Sequence, residues 1–131
     1  MARTPLDEAA DLTAADVVHK RFSALPADVT VARVRDWFAV SSHRRMAFLA
    51  DNGVYAGSLS RDDLKGELEP ARPAAELASP GPAIAPDASA HTAFELAVAT
   101  RAHRVPVVDP DGNLIGVVGV TDDLTAFCGT N

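Results

Sequence analysis

The 131-residue chain has a single cysteine, Cys128, which excludes an internal disulfide and a cysteine-built metal cluster. No apolar run approaches the roughly 18–20 residues that a bilayer span needs. Met1-Ala2-Arg3-Thr4-Pro5 leads into charge, and no secretory signal is read there. Positive charge is in deficit: 12 Lys and Arg stand against 18 Asp and Glu, a net charge of −6, which argues against non-specific nucleic-acid binding. Catalytic signatures are missing too. There is no Gly-x-Ser-x-Gly elbow, no Walker loop and no His-Glu-x-x-His. Asp62-Asp63 and Asp122-Asp123 are each adjacent in sequence, so their side chains diverge and make poor acid–base pairs. His19 and His91 lack metal-ligand spacing. The expectation is a cytoplasmic, soluble non-enzyme that needs no metal, no membrane and no nucleic acid. With 47% hydrophobic and 23% charged residues, the composition is that of a folded globular protein.

What is present is a repeat of about 60 residues. Pro26 returns as Pro86; Arg45-Met46-Ala47-Phe48-Leu49 returns as Arg104-Val105-Pro106-Val107-Val108. Gly53 and Gly57 return as Gly112 and Gly116, and Asp62-Asp63-Leu64 returns as Asp122-Asp123-Leu124. Two single-residue adjustments, before Arg104 and before Thr121, bring the copies into line. A unit of about 60 residues buries little surface alone, so two copies are expected to share one compact module.

The pattern divides the chain into an arm at 1–12, a first repeat at 13–64, a linker at 65–73 and a second repeat at 74–128. In the first repeat Thr13 caps a short helix from Ala14 to about Lys20, and Phe22–Leu25 suits a short strand. Thr30 caps a helix from Val31 to about Ser41. Met46–Ala50 and Val54–Leu59 are strands joined by the Asp51-Asn52-Gly53 turn. Ser60 then caps a helix that starts with acidic residues. The second repeat follows the same order. Ala74–Ala78 reads as a short helix and Ala83–Ala85 as a short strand, and Ser89 caps a helix from Ala90 to about Ala102. Val105–Val108 and Leu114–Val120 are strands about the Asp109-Pro110-Asp111-Gly112 turn. Thr121 caps a last helix from Asp122 to Cys128, with Gly129 as its C-cap.

Taken together, Pro86-Asp87, Arg104-Val105-Pro106-Val107-Val108-Asp109, Asp111-Gly112, Gly116-Val117-Val118 and Gly57-Ser58-Leu59-Ser60-Arg61-Asp62-Asp63-Leu64 resemble the cystathionine-β-synthase (CBS) domain. Two in tandem resemble a Bateman module, over about residues 13–128. The resemblance implies an α/β fold: two small β-sheets with flanking helices, packed about a pseudo-two-fold axis. It implies a regulatory module and no enzyme. An adenosyl compound of the AMP, ATP, NAD or S-adenosylmethionine class would bind in the cleft between the repeats, as a regulatory ligand rather than a cofactor. Its occupancy would be passed to an effector protein that the sequence does not name. The alternative is a ligand-free structural dimerisation module.

Ser60-x-x-Asp63 is the sharpest site candidate. A hydroxyl at a helix start can meet a phosphate, and a carboxylate three residues on can accept ribose hydroxyls. The same residues also read as a plain helix cap that needs no ligand. In the second copy Asp123 is in place, but Val120 stands three residues before it and Thr121 is one residue late, so that site is remodelled or empty. The resemblance puts Arg45, and Arg104 with Val105 and Pro106, near the ligand, where Arg44, His43 and His103 would add charge. A solvated positive edge is the plainer reading of these cations. The helices at 31–40 and 90–99 are apolar around most of their circumference, and a homodimer through them is expected.

Overall fold

The computed structural model describes residues 3–19, 22–42, 44–100 and 102–130. Its strands and α-helices, in chain order, are β1 (Arg3–Pro5), β2 (Leu25–Pro26), α1 (Val31–Ala39), β3 (Met46–Asp51), β4 (Val54–Ser60), α2 (Ala90–Ala99), β5 (Arg104–Val108), β6 (Leu114–Gly119) and β7 (Ala126–Cys128). Short 3-10 helices occupy Leu6–Glu8, Ala14–Val17, Arg61–Leu64 and Ala74–Glu76. The chain is α/β, as the resemblance implied.

The fold forms two compact units, one contiguous, Ser23–Gly81, and one split, Met1–Phe22 with Pro82–Asn131. These differ from the repeats read along the sequence, because each repeat's first helix sits in the other unit. Hydrogen bonds show the exchange to be symmetric. In the split unit Ala14 N–H donates to Ala88 O at 2.8 Å and Ala90 N–H to Leu12 O at 2.9 Å. In the contiguous unit Ala74 N–H donates to Val29 O and Val31 N–H to Arg72 O, both at 2.9 Å. The 65–73 segment is thus more than a linker. Its Arg72 and Pro70 carbonyls satisfy the first two amides of α1, groups that a helix leaves without internal partners.

In the contiguous unit, β2 pairs parallel with β3, and β3 antiparallel with β4. Asn52 and Gly53 take positive φ, 49° and 87°, in the two-residue turn between β3 and β4, the conformation that Asn-Gly favours. Thr30 Oγ1 accepts Arg33 N–H at 3.3 Å and so caps α1. Val31, Val34 and Phe38, spaced on one helical face, pack with Ala47, Leu49 and Leu59.

The split unit pairs β5 with β6 antiparallel. Ser89 Oγ accepts Thr92 N–H at 3.1 Å and caps α2. This helix buries Ala90, Ala93 and Ala97 at the spacing where α1 buries Val31, Val34 and Phe38. The expected Ala83–Ala85 strand reduces to one parallel bridge, Ile84 to Val107.

Two expectations are corrected here. Residues 122–128 are not a helix: they turn sharply and return as β7. Within the arm expected at 1–12, residues 3–5 form a strand: β1 pairs antiparallel with β7, with Arg3 opposite Cys128 and Pro5 opposite Ala126. The cause is side-chain bonding within the turn. Thr121 Oγ1 donates to Asp123 Oδ1 at 2.7 Å and accepts Ala126 N–H at 3.3 Å. These bonds offer the backbone a local alternative to helix. Phe127 is then fully buried and meets Phe94 edge-to-face, with centroids 5.8 Å apart.

The two expected helix ends, near Ser41 and Ala102, fall at Ala39 and Ala99. Part of the apolar surplus that suggested a dimer is used inside the unit, since Phe94, Leu96 and Val98 pack against its core. Just past α1, Val40 remains 71% exposed.

Candidate functional site

β4 ends at Ser60, and the chain enters the 3-10 turn Arg61–Leu64 instead of a longer helix. Ser60 and Asp63 close a capping box. Asp63 Oδ2 accepts Ser60 N–H at 2.8 Å and Ser60 Oγ–H at 3.2 Å. The serine proton therefore already has an acceptor, and it reaches a ligand phosphate only by leaving Asp63. Four residues of 3-10 turn also supply little dipole for an anion. Among the described residues, Asp63 Oδ1 takes no hydrogen bond, and Asp63 is exposed. The chemistry left open at this turn is that of a carboxylate oxygen accepting hydroxyl groups.

The cations around the turn have mixed fates. Arg44 stacks over Trp37 at 4.6 Å and donates to Trp37 O at 2.8 Å. Arg45 is half-buried just before Met46, the cross-strand partner of Ser60. His43 lies outside the described residues. Arg61 does not point away from the fold. Its Nη2 donates to Ser41 O at 2.7 Å and Phe38 O at 2.8 Å, its Nε donates to Arg44 O at 2.9 Å, and the guanidinium lies 4.9 Å over the Phe38 ring. Arg35 Nη2 approaches from α1 and donates to Leu64 O at 2.8 Å and Gly66 O at 3.1 Å. A hollow of about 240 Å³ lies among Arg35, Phe38, Ala39, Arg61 and Leu64. Sequence reasoning missed both arginines. Their acceptors are backbone carbonyls, which leave no residue-type signature.

In the corresponding turn of the split unit, one carboxylate oxygen of Asp123 carries every bond, and the residue stays exposed. Asp123 Oδ1 accepts Thr121 Oγ1–H at 2.7 Å, Thr125 Oγ1–H at 2.7 Å and Thr125 N–H at 3.3 Å. The hydroxyl of Thr121, and then that of Thr125, hold its carboxyl below the ordinary range. Thr121 is buried, and it caps no helix.

Arg104 is turned onto its own loop. Its Nη1 donates to His103 O at 3.0 Å, Ala102 O at 3.3 Å and Val120 O at 3.4 Å. Val105 lies in the core of the split unit, and Pro106, also buried, accepts Ile84 N–H at 3.0 Å. His103 takes a positive φ of 54°, and its Nδ1, buried without a hydrogen bond, lies 3.9 Å from Asp122 Oδ1.

Strand register also corrects the equivalence of Arg45 and Arg104. Both hairpins carry an irregularity, after Leu49 opposite Gly57 and after Val107 opposite Gly116. Aligned on these, Arg104 stands where Met46 does, and Gly119 where Ser60 does. The second repeat has thus lost the hydroxyl. A Cβ at Gly119 would come within 2.8 Å of Cys128 Sγ and 3.1 Å of Arg104 Nε, so the inward Arg104 and the bare Gly119 belong together.

Among the described residues no group of His, Cys, Asp and Glu could hold a metal ion, and no helix is long and apolar enough to cross a membrane. Residues 74–122 match the family model of the CBS domain. No curated protein matches the sequence. Solved structures do. The CBS-pair domain of a putative Mg2+ transporter from Shewanella oneidensis is 25% identical, with TM-score 0.73, over 86% of this chain and 68% of that one. CBSX2 of Arabidopsis thaliana in complex with AMP is 22% identical, with TM-score 0.68, over 86% and 91%. A CBS domain protein from Pyrobaculum aerophilum complexed with AMP is 20% identical, with TM-score 0.70, over 82% and 87%. CBS pairs are in general regulatory rather than catalytic. The chain has the fold of a tandem CBS-domain pair, and residues 74–122 match the CBS domain itself.

Proposed function

We propose that this CBS pair is a regulatory sensor of an adenine nucleotide, binding one ligand per chain through the contiguous unit. The observation that carries this reading is the contrast between the two acidic turns. Asp63 keeps an exposed carboxylate oxygen that can accept a ribose hydroxyl, and Arg45 stands beside the strand residue that pairs with Ser60. At the other turn Gly119 stands in the place of Ser60, Thr121 is buried, and Arg104 Nη1 is taken up by nearby carbonyls. The AMP complexes of two similar structures support the ligand class. Binding shifts an equilibrium that an effector protein reads. The module is proposed to work in the cytoplasm as a homodimer, with the exposed Val40 end of α1 in the contact, and without turnover of the ligand.

The closed Ser60–Asp63 contact favours a second reading, a ligand-free dimerisation module. Calorimetry with AMP separates the two. We expect one AMP per chain, a loss of more than tenfold in affinity for Asp63→Ala, and little change for Asp123→Ala. One lost hydrogen bond to a charged group is worth about 1.5–3 kcal/mol. No heat of binding at millimolar AMP would leave the dimerisation reading in place.

A further inference from the structure

We infer that Arg61 and Arg35 are positioning residues of the Ser60–Asp63 turn. The inference rests on the proposed nucleotide site. A four-residue 3-10 turn has poor hydrogen-bond geometry and little cohesion of its own. Two guanidinium groups supply what the turn lacks, from opposite ends. Arg61, its first residue, grips one carbonyl in the last turn of α1, that of Phe38, and two between α1 and β3, those of Ser41 and Arg44. Arg35, from α1, grips the exit of the turn at Leu64 and Gly66. The staples run in opposite directions, from turn to helix end and from helix to turn end, so the turn cannot tilt from α1 without breaking one of them. Arg61 also ties the turn to the segment that delivers Arg45 to the start of β3. The carboxylate and the cation assigned to ribose and phosphate are thereby held in one frame. A planar guanidinium with five donors can hold several carbonyls at once. A lysine ammonium replaces it poorly.

The experiment compares wild type, Arg61→Met, Arg61→Lys, Arg35→Met and Asp63→Ala in the full chain, well below their melting temperatures. Two quantities are read: AMP affinity by calorimetry, and amide exchange at Ser60 and Lys65 by NMR, with the Asn52-Gly53 hairpin as internal reference. Arg61→Met should speed exchange at Ser60 and Lys65 at least tenfold, leave the hairpin unchanged, and weaken AMP binding at least tenfold. Arg35→Met should do the same more strongly at Lys65 than at Ser60, and Arg61→Lys should restore only part of either effect. Unchanged exchange at Ser60 in Arg61→Met overturns the inference. Faster exchange with wild-type AMP affinity, while Asp63→Ala weakens binding, overturns the positioning role alone. A wild-type chain that binds no AMP overturns the proposed site, and the positioning role falls with it.

Discussion

The two units solve one packing problem with different parts. α1 presents Val31, Val34 and Phe38 to its sheet, and α2 presents Ala90, Ala93 and Ala97 at the same spacing. The small face of α2 leaves volume that its own side chains cannot fill. In the split unit that volume is taken by Phe127, delivered by β7 into the same buried cluster. The contiguous unit, with bulk already on its helix, follows its hairpin instead with a short turn stapled by arginines. The segment after the last hairpin strand serves both cores by different means: it returns as β7 to bury Phe127 in the split unit, and it buries Leu64 from a single turn in the contiguous one.

The sharpest way to break this comparison is Phe127→Ala. Phe127 is fully buried, the largest side chain in that state, and its truncation leaves a cavity beside a helix face of alanines that cannot close it. The expected loss is about 3–5 kcal/mol in urea denaturation, a large share of the stability of a domain this size. A loss under about 1 kcal/mol would mean that β7 is only laid on the surface of the unit.

The two hairpins and the starts of the two α-helices were legible because their signals are local; the expected strands at Phe22–Leu25 and Ala83–Ala85 shrank to Leu25–Pro26 and a single bridge. Asn52-Gly53 dictates a turn through its φ preferences, and the Thr30 and Ser89 caps bond amides three residues away. The end of the second repeat was misread for the same reason. Thr121-Asp122-Asp123 looks like Ser60-Arg61-Asp62-Asp63, a helix start. What decides its conformation lies elsewhere: Thr125 closes on Asp123, and β7 finds its partner in β1, at the other end of the sequence. Pairing over such a distance leaves no periodic trace. In the candidate site the acidic residues were readable by type, but their bonding state was not, since whether a carboxylate faces outward or caps its own backbone depends on geometry that both outcomes share in sequence.

Exchanging the aligned residues Ser60 and Gly119 sharpens the comparison at a smaller scale. Gly119→Ser pushes a Cβ against Cys128 Sγ and the Arg104 side chain, and overpacking of this kind costs about 1–3 kcal/mol. Ser60→Gly removes a cap hydroxyl at a position where glycine is tolerated, and costs only a few tenths of a kcal/mol, roughly. Paired urea titrations should therefore show the split unit losing more from gaining a hydroxyl than the contiguous unit loses from giving one up. The opposite ranking would separate Arg104 packing from the loss of the second hydroxyl.

The smallest effect distinguishes the two hairpin turns by acid. The contiguous unit closes its turn through the dihedral preferences of Asn52 and Gly53. The split unit closes its turn through a carboxylate: Asp109 Oδ1 accepts Asn113 N–H at 2.8 Å and Asp111 N–H at 3.0 Å. The Asn113 amide, first among these donors, holds the Asp109 carboxyl below its ordinary value of 3.8. A depressed folded-state pKa means that the unfolded chain binds the proton more readily, so the contribution is fully present above the unfolded value and is lost as pH falls through the folded one. Carboxyl-carbon NMR should show Asp109 titrating below 3.8, and the Asn113 amide should lose protection in the same interval once intrinsic exchange is corrected for. In Asp109→Asn that acid-dependent loss should vanish. A midpoint at or above 3.8 would mean that the carboxylate adds nothing to the turn, and that both hairpins are closed by backbone preference alone.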